Sequence, residues 1–306
     1  MSLTYVSQQI SLYSGIVYLI FGVTGNTINI YVFSSVSAYR RTPTTFYFLS
    51  ESIFKNIYLL TNLVPRIITF SYGYDFTNVS SLWCKFRQAI LMMSGATTLS
   101  LTTLSIIDQY LVTSSNPSVR RMSRIQVSHR ILLIIVIICS LHAVSFFVYF
   151  DISSITKTCI SLNSTLSNYM PIYFIVIACI IPISIMSLFG YLTYRNIRQT
   201  IALVEQHADR QLIKMTFLQV MLAFIDTAPL GSLYIYNMIT SGMIKDQDRL
   251  MKEYFAYVII STEITLYFAS SFYVFLFSSS RFRRNVKERL FGKRQTNVIL
   301  PNTQTK

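Results

Sequence analysis

Charge is scarce in this sequence. Only 12% of its 306 residues are charged, about half the share usual in a soluble chain. Hydrophobic residues make up 52%, and the mean hydropathy is +0.48. That balance argues against a soluble domain and for an integral membrane protein. Catalytic signatures are also missing: there is no Walker loop, no GxGxxG, no HExxH and no CxxC pair. The three histidines, His129, His142 and His207, lack metal-ligand spacing. No enzymatic activity, cofactor or metal site is therefore expected. Gly/Ser linkers and internal repeats are absent. No Lys or Arg precedes Arg40, so the basic start of a secretory signal is missing and the first apolar run is expected to stay in the mature protein.

What is present is a series of apolar runs, each near the twenty or so residues that cross a bilayer. Seven are expected, at 9–36, 45–71, 84–113, 127–150, 168–194, 210–240 and 252–279. This predicts an all-α integral membrane fold: an N-terminal segment 1–8, a seven-transmembrane helix bundle over 9–280, and a basic amphipathic membrane-surface helix at 281–293 (an eighth, short helix). A tail follows at 294–306. In the surface helix Phe282, Val286, Leu290 and Phe291 share a face, the pattern of a helix resting on anionic lipid.

The net charge of +14 does not point to nucleic acid, because the basic residues lie between the runs. Counted over alternate loops, 18 of the 26 Lys and Arg fall on one side. Excess positive charge marks the cytoplasmic face, so the N-terminus is expected outside. The sequons at Asn78 and Asn163 both fall in outside loops. Cys139 and Cys179 lie within runs. Cys84 and Cys159 lie outside, as a disulfide or as two free thiols.

With these features, the chain resembles the rhodopsin-like G-protein-coupled receptors along residues 10–292. Gly25-Asn26 matches that family's helix-one pair, Lys55-Asn56 stands where Ala-Asp is usual, and Pro65 matches a helix-two proline. Trp83-Cys84 begins helix three, and Asp108-Gln109-Tyr110 stands in the position of Asp-Arg-Tyr. Pro182 matches helix five, Asp226-Thr-Ala-Pro229 stands where helix six has Cys-Trp-x-Pro, with Thr227 in place of the Trp, and Ser271 to Phe275 corresponds to Asn-Pro-x-x-Tyr, with Tyr273 as an alternative phenol.

The resemblance implies a Cys84–Cys159 disulfide. It implies hinges at Pro182 and Pro229 and a polar core at Asn26, Asn56 and Ser271. Coupling to a heterotrimeric G protein would involve Asp108, Gln109, Tyr110, Asp209 and Phe275. Gln109 replaces the arginine that pairs with the helix-six acid, here Asp209, so a softer Gln109–Asp209 lock is expected. Asn56 lacks the charge of the family's sodium-binding aspartate. Threonines 296, 303 and 305 suggest arrestin as a further partner.

Ionisable residues inside spans are functional candidates. Glu51 and Lys55, spaced i, i+4, are expected to neutralise each other. Arg66 is a candidate anion contact or a snorkelling residue at the interface. Asp226 and Glu263 lie midway through helices six and seven. Ligand candidates by depth are Arg66, Gln88, Tyr234 and Asn237. Tyr72, Arg87, Tyr173, Tyr236 and Tyr257 share their level, where an interfacial aromatic belt would also explain the phenols. The expected ligand is a small peptide or small molecule, met at the plasma membrane by a multi-pass receptor. Two other readings stand beside this one: a receptor-shaped scavenger or partner that no longer couples, and a transporter or channel.

Overall fold

A computed structural model describes residues 3–199 and 207–292, with side chains for 3–198 and 211–292. The tail from Lys293 onward and the side chain of Asp209 lie outside these described residues.

Among the described residues the fold is all-α apart from one short hairpin. Helices α1 (Leu3–Ser35), α2 (Ser37–Arg40), α3 (Pro43–Tyr72), α4 (Phe76–Val79), α5 (Ser81–Thr113), α6 (Pro117–Arg120) and α7 (Ile125–Tyr149) lead into strands β1 (Phe150–Ile152) and β2 (Cys159–Ser161). Then follow α8 (Ser164–Ile172), a π-helical stretch Tyr173–Ile180, α9 (Ile181–Gln199), α10 (His207–Ile239), α11 (Gln247–Ser278) and α12 (Ser280–Phe291). Six helical segments among the described residues are long and apolar enough to cross a membrane: α1, α5, α7, the continuous α8–α9 rod, α10 and α11. Helix α3 has 30 residues but is not among them. Glu51, Lys55 and Arg66, with several Ser, Thr and Asn, reduce its apolarity.

Local chemistry fixes the helix ends. Pro43 opens α3, and Gly73, at φ 70°, closes it in the left-handed conformation that glycine tolerates best. Ser80 caps α5, Asn163 caps α8, Asp246 caps α11 and Ser279 caps α12, each accepting a backbone N–H three residues on. Pro182 has no N–H to give the carbonyl four residues back. The wide π turns lie immediately before it.

Helix α5 packs on α3, α7, α9 and α10, while α1 lies against α3 and α11. Close approach of α1 depends on glycine. A methyl group at Gly22 would sit 2.8 Å from the Cβ of Ala269, and one at Gly25 would sit 2.9 Å from the Cβ of Phe272. At one end of the bundle Phe33, Phe48, Phe275 and Phe282 form an aromatic cluster joining α1, α3, α11 and α12.

At the other end, the Cys84–Cys159 disulfide ties α5 to the hairpin. In the hairpin, Phe150, Asp151 and Ile152 pair antiparallel with Ser161, Ile160 and Cys159. Asn78 Oδ1 accepts the Cys159 N–H at 3.1 Å. Hydrogen bonds from Ser81 and Lys85 hold the Asp151 carboxyl down at about 2, and Lys85 lies 3.0 Å from it.

Two helices extend beyond the expected spans: α1 begins at Leu3, before residue 9, and the fifth long helix begins at Ser164, before 168. Helix α12 buries Phe282 and Val286 in the bundle and leaves Leu290 and Phe291 45% and 81% exposed. The hairpin was not expected from sequence.

Candidate functional site

A cavity of about 520 Å³ occupies the hairpin half of the bundle, between α3, α5, the π-helical stretch, α10 and α11. Of the four ligand candidates, Arg66, Gln88 and Tyr234 line it. Asn237 does not, because that face of α10 is exposed. Tyr72, 82% exposed, also points away. Arg87, Tyr173 and Tyr257 line the cavity, whereas Tyr236 turns outward to Glu253 and Arg249. Tyr234 is stacked on Phe174, with ring centroids 4.5 Å apart.

Two guanidiniums, Arg66 and Arg87, and two carboxylates, Asp75 and Asp226, line the cavity. Arg66 Nη2 donates to Ser261 Oγ at 3.3 Å. Arg87 donates to the Thr61 carbonyl at 3.3 Å and to Asn62 Oδ1 at 3.1 Å. Neither forms an ion pair among the described residues, and most of their donor hydrogens have no such contact. Asp75, at the hairpin end of the cavity, already caps α4 and accepts from Asn78 Nδ2 at 2.9 Å. Deeper in the wall lies Asp226, 3% exposed, whose Oδ2 has no hydrogen-bond partner among the described residues.

Beneath the cavity is a buried polar network. Lys55 and Glu51, 0% and 2% exposed, form an ion pair at 2.8 Å. Lys55 Nζ also donates to Ser271 Oγ at 2.5 Å and lies 4.0 Å over the Tyr267 ring. Glu51 Oε1 accepts from Gln219 Nε2 at 2.8 Å and from Thr102 Oγ1 at 3.0 Å. Gln219 reaches Ser271 Oγ at 3.0 Å, and Thr102 meets Tyr267 OH at 2.5 Å. One charge pair on α3 thus joins α5, α10 and α11.

Tyr267 belongs both to this network and to the cavity wall. Thr102, Gln219 and Tyr267 were not singled out from sequence, although a lone Gln within the apolar run FLQVMLAF was a usable signal. Ser271 and Asn26 are buried, and Asn26 Nδ2 donates to the Phe268 carbonyl at 3.0 Å. Asn56 makes an interhelical polar contact, donating to Thr27 Oγ1 of α1 at 3.3 Å, while its neighbour Lys55 takes the centre of the network.

At the aromatic-cluster end, Asp108 Oδ2 accepts from Thr44 Oγ1 at 2.5 Å and Oδ1 accepts from Ser123 Oγ at 2.6 Å. Gln109, 2% exposed, donates to Thr44 Oγ1 at 2.7 Å. The Gln109 amide thus reaches α3; the expected Gln109–Asp209 lock falls on a side chain outside the described residues. Tyr110 meets Phe189 edge-on, and Phe275 is in the aromatic cluster. The foot of α10 is fastened by Gln211, whose Oε1 accepts from Ser279 Oγ and Arg281 N, both at 2.9 Å. Pro229 lies inside α10, midway between this fastening and the hairpin end.

The two sequons differ in their surroundings. Asn78 uses its amide nitrogen on Asp75, whereas Asn163 uses only its oxygen, to cap α8. No protein-family model matches the chain, and no curated protein matches it.

Proposed function

We propose that this chain is a plasma-membrane receptor of the rhodopsin-like, G-protein-coupled kind, with seven spans and its N-terminus and hairpin outside. Helix α3 serves as the further span, its polar groups turned toward α5, α10 and α11. The observation that carries this reading is Tyr267, which lines the ligand cavity and touches the Glu51–Lys55 network. A ligand that shifts Tyr267 disturbs the bonds holding Gln219, and so α10, against its neighbours. A ligand that fits the displaced arrangement better shifts the population toward it. Pro229 gives α10 a place to bend.

The cavity's two unpaired guanidiniums favour a ligand bearing a carboxylate, such as a short peptide with a free C-terminus, since planar guanidinium forks match carboxylates. Heterotrimeric G protein and membrane lipid are the remaining partners of this reading. Receptor-like scavenging without coupling is the second reading, favoured by Gln109 standing where arginine would be expected and bonding to α3.

The ligand reading is tested with paired libraries of short peptides and small carboxylic acids and their neutral amides, reading G-protein activation in expressing cells. Active compounds are expected to be acids. Arg66→Gln or Arg87→Gln should weaken them by roughly ten- to a hundredfold, the size of a lost charge-assisted contact. A neutral agonist indifferent to both substitutions would remove the carboxylate from the account.

A further inference from the structure

Ser123 lies in the loop between α5 and α7, where it holds that loop to the end of α5 through its 2.6 Å bond to Asp108. Around it the sequence reads Arg120-Arg121-Met122-Ser123-Arg124, and all three arginines are exposed. Of the neighbouring serines, Ser118 has no arginine before it in the loop, and Ser128 is buried. Ser123 is half-buried and belongs to no helix, so a local opening of the turn delivers its hydroxyl.

We propose that Ser123 is a phosphorylation site for a basophilic protein kinase, and that its modification releases the α5–α7 loop from Asp108. The paired arginines at 120 and 121 are the recognition element, matched by acidic subsites on such a kinase. In the transfer, Ser123 Oγ attacks the γ-phosphorus of ATP. The new Oγ–phosphorus bond forms as the bond to the ADP oxygen breaks, and the hydroxyl proton passes to the kinase's base.

The product cannot keep the present contact. An ester oxygen has no hydrogen to donate to Asp108, and the phosphate brings about −1.5 to −2 charge against a carboxylate. Asp108 retains its bond from Thr44, which Gln109 also engages. Arg120, Arg121 and Arg124 offer the phosphate better partners on the solvent side. Charge added at one hydroxyl thus detaches the loop beside Gln109 and Tyr110, the end of α5 assigned above to G-protein contact.

The inference rests on that reading for the side on which the loop lies. The test uses the full chain in lipid nanodiscs, which leave both faces open, incubated with ATP and the catalytic subunit of cyclic-AMP-dependent protein kinase. Mass spectrometry is expected to find phosphate at Ser123, lost in Ser123→Ala. Arg120→Ala/Arg121→Ala, at exposed positions, should keep the wild-type unfolding midpoint and slow the initial rate at least tenfold. Hydrogen exchange in residues 114–124 should quicken once Ser123 is modified. Phosphate found only elsewhere, a rate indifferent to the arginines, or a modified Ser123 with unchanged exchange would each overturn the proposal. The side of the membrane is read separately, from a glycan on Asn163 in cells, so failure of the topology and failure of the site are distinguishable.

Discussion

Lys55→Met should destabilise the folded protein by about 3–5 kcal/mol, the usual cost of removing one member of a buried ion pair. The substituted side chain fills similar volume but leaves Glu51, 2% exposed, without its cation and Ser271 with Gln219 as its remaining donor. Gln219 and Thr102 still bond to Glu51, but neutral donors cannot offset its charge. Replacing both partners, as Glu51→Leu/Lys55→Met, should recover much of the loss, since a matched apolar pair avoids the desolvation cost. Thermal unfolding of the three variants and wild type in one detergent checks this. Equal destabilisation by single and double variants would mean that the pair's charges are not the source of the effect.

Cys84→Ser should be nearly as damaging, at about 2–5 kcal/mol. The bond spans a sequence separation of 75 and links α5 to the hairpin. Without it, the hairpin keeps the part-buried bond from the Cys159 N–H to Asn78 and the half-exposed Lys85–Asp151 pair, the latter individually weak. The measurement is surface expression together with the unfolding midpoint. Cys159→Ser should match Cys84→Ser, and the double variant should be no worse than either. Additive losses would indicate that the two sulfurs act separately.

The sequence made some of this legible because the evidence was local. Glu51 and Lys55 are one helical turn apart, so their pairing needs only α3 to be helical. Cys84 and Cys159 stood out because only they lay in loops on the expected outer side. Long apolar runs gave the membrane character for the same reason.

What stayed hidden depends on helix rotation and on contacts between distant segments. A change in rotation of about 100° per residue decides whether Lys55 or Asn56 takes the centre of the network. The bond from Gln109 to Thr44 spans 65 positions in sequence, and no pattern announced it. Gln219, Tyr267 and Gln211 matter through neighbours on other helices. The hairpin over Phe150–Ser161 is too short to give a strand signal of its own.

The central claim is that α10 opens at its foot to admit a G protein. Gln211 holds that foot to the α11–α12 junction through two hydrogen bonds. Losing both is worth about 1–3 kcal/mol, or roughly 5- to 150-fold in the ratio of open to closed forms. The most direct measurement is ligand-independent nucleotide exchange on a panel of purified heterotrimeric G proteins, with wild type and Gln211→Ala in nanodiscs. The account predicts faster exchange with Gln211→Ala than with wild type on at least one G protein. Exchange no faster than with empty nanodiscs across the panel, from a variant whose thermal transition shows it folded, would contradict it and favour the non-coupling scavenger.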